Sequence, residues 1–318
     1  MGLKLLSLFV SILIAQILFA QKKEKFYDYQ SRECGPDRAR FYATIEQKDS
    51  GWVRYDYYLP SGNLQMKGLY KDSACKVKNG LFYYFYPDKK LESFGKYTDN
   101  KKDSTWLSYH TNGRMKDSTE YDYGEKTGTS LSWHSNGYIS DSVVYKSSGT
   151  AIAVSWFDDG TVSSAGRLNL IGLNNGRWQY FHRNGKLSAD ETYDNGRLVK
   201  RTYFSELGVP FLDTTDKSHP ASFPGGIGAW SKYLGKNLYW PANYRIVNGD
   251  KVEINAQFTI DEYGNIKDIY ITIPFEAPFN DIVMKTIKGS PKWEPALSHN
   301  RKVAYRHIQT VIFTQVRD

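Results

Sequence analysis

The chain has 318 residues, room for two ordinary domains, and 15% of them are Phe, Trp or Tyr, a composition that favours strands over helices. Its formal charge of +8 divides as +1 over residues 1–20, +5 over 21–212 (28 basic against 23 acidic) and +2 over 213–318 (13 against 11). That even spread excludes the concentrated basic face of a nucleic-acid reader and is solvated surface.

Lys4, an apolar run from Leu5 to Ala20 and the cluster Gln21, Lys22, Lys23, Glu24, Lys25 have the layout of a signal peptide. As a helix the run would reach about 24 Å, short of the roughly 30 Å hydrocarbon core. A cleaved signal is expected, and with it an exported protein of the periplasm or cell envelope; a retained segment would anchor the chain in the inner membrane. Residues 21–50 are a lead-in. In an oxidising compartment Cys34 and Cys75 are candidates for a disulfide that staples the start of the repeats, with two unpaired buried thiols as the alternative.

Across residues 51–208 the turn signals Asn112-Gly113, Asn136-Gly137, Asp159-Gly160 and Asn184-Gly185 recur at spacings of 24, 23 and 25. Pro87-Asp88-Lys89 is a degenerate copy, and Ser61-Gly62 and Asn195-Gly196 are further turns. Each of the main turns follows a short aromatic strand, as in Leu81 to Tyr86 or Trp178 to His182. Asn-Gly pairs suit two-residue hairpins whose central residues both take positive φ. An elongated antiparallel sheet of stacked hairpins follows, about 10 Å per repeat. His110, His134 and His182 occupy equivalent places, but Tyr86 and Phe157 fill the same place in other copies. Stacked rings are expected there, because hairpins about 10 Å apart hold ligands beyond the reach of one zinc ion. The stretch GRWQYFHRNGKLSADETYDNGRL resembles the MORN-repeat variant over roughly 51–204. The resemblance implies an interaction surface, in some members toward membranes.

The period stops near Val209, and residues 209–222 read as a linker. Trp230, Tyr233, Leu234, Asn237 and Leu238 mark a helix ended by Trp240-Pro241. Val252, Ile254, Ala256, Phe258 and Ile260 alternate with polar residues in a half-buried strand. A turn at Tyr263-Gly264-Asn265 leads into Ile266–Ile273, a second helix starts at Pro278, and Arg301 to Thr314 is the last strand. The order α-β-β-α-β gives a small α+β domain over 223–318, with a three-stranded antiparallel sheet and two helices. FPGG at 223–226, WP at 240–241, DEYGNI at 261–266 and PKWEPA at 291–296 resemble the TonB C-terminal domain. The resemblance implies capture of a peptide from a TonB-dependent outer-membrane transporter by strand addition, in the envelope of a Gram-negative bacterium. The last strand is then the free edge, with Val303, Tyr305, His307, Gln309, Val311 and Phe313 as its contact residues.

Catalysis finds no support. There is no G-x-S-x-G, H-E-x-x-H or C-x-x-C pattern, and no Lys-Ser/Thr follows Gly225, Gly226 and Gly228. Asp261 and Glu262 sit on a solvated turn, and Trp293 reads as a core plug. No catalytic residue, cofactor or metal site is expected. The leading expectation is a non-enzymatic envelope scaffold that binds a protein or peptide partner. One alternative is a TonB-like energy transducer, which would meet inner-membrane motor proteins only if the N-terminal segment is retained. The other is glycan or lipid binding by the repeats.

Overall fold

The computed structural model describes residues 23–242, 244–246 and 251–315, so the signal-like segment lies outside the described residues. Among those described, no helix is long and apolar enough to cross a membrane. Strands β1 (Lys23–Tyr27), β2 (Phe41–Lys48), β3 (Gly51–Tyr58), β4 (Leu64–Tyr70), β5 (Lys78–Phe85), β6 (Leu91–Thr98), β7 (Lys101–Tyr109) and β8 (Met115–Asp122) run up and down in chain order. They continue as β9 (Glu125–Trp133), β10 (Ile139–Tyr145), β11 (Ala151–Trp156), β12 (Val162–Leu168), β13 (Asn174–Phe181), β14 (Leu187–Asp194) and β15 (Arg197–Tyr203). All fifteen form one antiparallel sheet. The sheet starts before residue 51, because β1 and β2 of the lead-in pair with each other and β2 pairs with β3.

The turns correct the expectation drawn from Asn-Gly. At Asn112-Gly113 the loop has three residues: His110 N donates to Arg114 O and Gly113 N to His110 O, both at 2.8 Å. Only Gly113 has positive φ, at 85°. This is a type I turn closed by a left-handed residue, and the turns ending in Gly137, Gly160 and Gly185 repeat it. Two-residue turns with both φ positive occur at Asp99-Asn100, Tyr123-Gly124 and Asn195-Gly196, at the other ends of the strands.

Each of two large indoles in the array lies flat across a glycine of the preceding strand. A Cβ on Gly95 would come within 2.3 Å of the Trp106 ring, and one on Gly166 within 2.1 Å of Trp178. Each indole then donates to the next carbonyl, Trp106 Nε1 to Lys96 O at 2.9 Å and Trp178 Nε1 to Arg167 O at 2.8 Å. With no second layer of their own beneath them, these rings are covered by their neighbours.

The C-terminal unit comprises α1 (Gly226–Asn237), β16 (Lys251–Ile260), β17 (Ile266–Ile273), α2 (Ala277–Lys288), β18 (Ala296–Ser298), β19 (Arg301–Val303) and β20 (Tyr305–Thr314). Its three-stranded antiparallel sheet has the order β17-β16-β20. Val252, Ile254, Ala256, Phe258 and Ile260 are all at 0% exposure and pack with Trp230, Phe279, Val283 and Ile287, as the period-two pattern requires. Trp293 is the expected plug, edge-on to Phe223, Trp230 and Phe258. The expected last strand is instead broken at Ala304, and its first part pairs back on Ala296–Ser298 through a His299-Asn300 turn with φ of 50° and 60°.

The unit folds back along the array. The Arg40 guanidinium lies 4.3 Å over the Phe275 ring, Tyr86 meets Tyr270 edge-on, Lys267 Nζ is 3.6 Å from Asp158, and His299 stacks on Tyr180 at 3.5 Å. Overpacking a tight site costs about 1–3 kcal/mol. Gly166→Ala should therefore lower unfolding stability in urea by about 2 kcal/mol, while Gly172→Ala, where nothing lies within 4 Å but φ is 78°, should cost only about 1 kcal/mol from backbone strain.

Candidate peptide-binding edge and its supporting interface

Among the described residues β20 pairs only with β16, which leaves its other side an edge. The direction of its backbone follows from one contact. Asn255 O accepts from Thr272 Oγ1 of β17 at 3.0 Å, so the Asn255 main chain faces β17. Its cross-strand partner on β20 is Thr310, which must turn its own N–H and C=O away from β16. By alternation Arg306, Ile308, Ile312 and Thr314 do the same. Their side chains are exposed, Ile308 at 62% and Ile312 at 60%.

Five of the six contact residues expected from the sequence form the other alternate set on β20, whose main chain turns toward β16. Tyr305, His307, Gln309, Val311 and Phe313 bond toward β16, and Val311 and Phe313 are in the core. Val303 lies on β19, outside the edge strand, and packs against the same core. His307 is wedged beside Phe258 and Trp293, and burial pushes its pKa down despite a hydrogen bond to Gln309.

A groove of about 430 Å³ runs beside the end of β20, walled by Leu234 of α1 and by Leu238, Tyr239 and Trp240, which follow it. Gln309 joins the core to the edge: its Oε1 accepts from Trp230 Nε1 at 2.7 Å and its Nε2 donates to Thr310 O at 2.6 Å.

The array presents a ladder of bonded turns. Four of the rings that precede three-residue turns reach a carbonyl of the next hairpin, while Phe157 has no donor: Tyr86 Oη to Tyr109 O at 2.7 Å, His110 Nε2 to Trp133 O at 2.8 Å, His134 Nε2 to Trp156 O at 2.9 Å and His182 Nε2 to Phe204 O at 3.0 Å. A carbonyl only accepts, so each histidine carries its proton on Nε2. The turn asparagines bind twice. Asn112 Oδ1 accepts from Arg114 N at 3.0 Å while Nδ2 donates to Ser135 O at 2.7 Å, and Asn136 and Asn184 repeat the pattern. These histidines are joints between hairpins, spent on carbonyls.

The unit is pinned by the β18–β19 tip. Asn300 Nδ2 donates to Phe204 O at 2.8 Å, and Arg301 Nη1 donates to Ser163 O and Phe181 O. His299 Nδ1 lies 3.1 Å from Glu191 Oε2. Glu191 is fully buried, and also meets Tyr193 Oη and, at 2.7 Å, Arg201 Nε. Burial works against its charge, but His299, Tyr193 and Arg201 hold its carboxyl below the ordinary range. Arg183 adds a second tie, to Asp158 at 2.7 Å, Asp159 at 2.9 Å and Glu262 at 3.0 Å. Between sheet and unit lies a polar cavity of about 570 Å³. Its array side carries Asp117, bonded by Ser108 and Ser132, and Asp141, bonded by Ser155.

Cys34 and Cys75 are free thiols at opposite ends of the first strands. Cys34 N bonds Phe26 O, in line with Tyr42 and Tyr57, whereas Cys75 follows Asp72 beyond the Tyr70–Trp52 pair. Trp52 to Tyr57 is about 17 Å of strand, and a disulfide needs Cα atoms within roughly 7 Å. Burial pushes the Cys75 thiol up to about 11, which makes it an unreactive packing residue.

The MORN repeat variant family model matches residues 174–195, which span β13, its turn and β14. No curated protein matches the chain.

His134→Phe keeps the ring and removes the donor, as Phe157 already does in its copy. An unmet buried carbonyl costs about 1–3 kcal/mol, so urea unfolding should show a loss of about 1–2 kcal/mol. Because Glu191 is lowered on folding, its contribution is present above the ordinary carboxyl value near 4.5 and is lost as pH falls through its folded value. Thermal midpoints should thus drop on acidification below that value. Glu191→Gln, which breaks a buried pair, should cost about 3 kcal/mol at pH 7 and flatten that acid limb.

Proposed function

We propose that the chain is a non-enzymatic, exported scaffold of a Gram-negative cell envelope that captures an extended peptide as an added strand along β20. The observation that carries this reading is the outward main chain of Arg306, Ile308, Thr310, Ile312 and Thr314 beside an apolar groove. An incoming strand gains main-chain bonds at the edge and side-chain recognition in the groove. The resemblance of FPGG, WP, DEYGNI and PKWEPA to the TonB C-terminal domain supports a peptide of a TonB-dependent outer-membrane transporter as the partner. The array serves as the scaffold that carries the capturing unit, since Arg183, Asn300 and Arg301 tie the two together.

The test uses the full chain and a peptide from the N-terminal segment of such a transporter. Proline at an outward position removes one N–H from the edge and none from the β16 ladder. Thr310→Pro should keep the thermal midpoint within a few degrees and weaken peptide binding by about tenfold or more, a loss of roughly 1.4 kcal/mol. Unchanged binding in that variant, measured by titration calorimetry, would rule out strand addition at β20.

A further inference from the structure

Arg301 is nine-tenths buried, at 9% exposure. Its guanidinium packs over the Phe157 ring at 5.2 Å and the Tyr180 ring at 5.5 Å. Nη1 is satisfied by two main-chain carbonyls, but Nε has no partner among the described residues. Glu262, the acid whose charge reaches it, is bonded to Arg183. A buried cation without a carboxylate carries an uncompensated desolvation cost. Burial lowers its pKa to about 10, against the pull of Tyr180 and Glu262.

Arg301 lines a pocket of about 480 Å³ between the array and the β18–β19 hairpin. One wall is apolar: Phe157, Tyr263 and Leu297. Arg183 also lines it but is already met by three carboxylates, those of Asp158, Asp159 and Glu262. The charges left to a ligand are Arg301 and Lys302 against Glu206, a balance of one positive charge from two cations and one anion.

From the unpaired buried guanidinium and this wall we infer that the pocket is a binding site for a small monocarboxylate with an apolar body, its carboxylate on Arg301 and Lys302 and its body on Phe157 and Leu297. A doubly charged phosphate is disfavoured by the acids grouped around Arg183 and by Glu206. The site is separate from the β20 edge and independent of peptide capture there.

Titration calorimetry of the full chain with sodium phenylacetate tests it, with phenylacetamide and inorganic phosphate as the other arms. Saturable one-to-one binding of phenylacetate, with no binding of the neutral amide or of phosphate, is the expected result. Arg301→Met should weaken it by about tenfold, the scale of one charge-assisted hydrogen bond. Equal binding of acid and amide, tighter binding of phosphate, no binding of phenylacetate, or undiminished affinity in Arg301→Met would each overturn the assignment. Should that variant fail to fold, Lys302→Met on an exposed residue replaces it. A loss of about threefold or more, as an exposed charge contributes, supports the site, and unchanged affinity overturns it.

Discussion

The array depends on the bonds that hairpin tips make to the next hairpin, as those of Tyr86, His110, His134 and His182 do. A single-layer meander has little interior, so hydrophobic burial holds each strand only against its neighbours and the turns would otherwise splay. Rings before the turns and amides within them close that gap. His134 reaches Trp156 O while Asn136 reaches Asp158 O, so one hairpin is tied twice to the next. Along the strands, Trp106 over Gly95 and Trp178 over Gly166 perform the matching task of covering apolar surface without a second sheet.

The C-terminal unit supplies part of the missing second layer. Its contacts run from Phe275 under Arg40 to His299 over Tyr180. A free module at the end of a rod would leave these aromatic faces wet. Docking also decides which surfaces stay available. The inner face of the array meets the unit across a polar cavity, whereas the outward main chain of β20 and the groove beside α1 remain exposed. In the proposed reading, the partner meets the side of the unit that the scaffold leaves uncovered.

Much of this was legible in the residues. The 24-residue period exposed the hairpins, and the alternation from Val252 to Ile260 exposed β16 and its core face. The turn type was not, because Asn-Gly is compatible with both a two-residue loop and a three-residue loop; only the flanking register chooses between them. The direction of the β20 main chain was not legible for a related reason. Apolar residues on an edge strand mark the core face, and the main chain that a new strand would use alternates with them, so Val311 and Phe313 signalled packing. The β18–β19 hairpin was hidden by its brevity, three residues a side, and by a His299-Asn300 turn that lacks the glycine of the signals counted in the array. The cysteines misled because a compartment argument carries no distance.

The two-handed turn asparagines also set how the molecule ages. Hydrolysis of the Asn112, Asn136 or Asn184 side-chain amide would replace a donor by an anionic oxygen facing a main-chain carbonyl, turning a joint into a repulsion. The natural acids in the series show what is needed to avoid this: Asp159 is met by Arg183 Nη1 from the following turn at 2.9 Å and Asp88 by Lys90 Nζ at 2.8 Å. The asparagine joints bond neutral carbonyls instead, which ties the lifetime of the ladder to the chemical persistence of three amide groups.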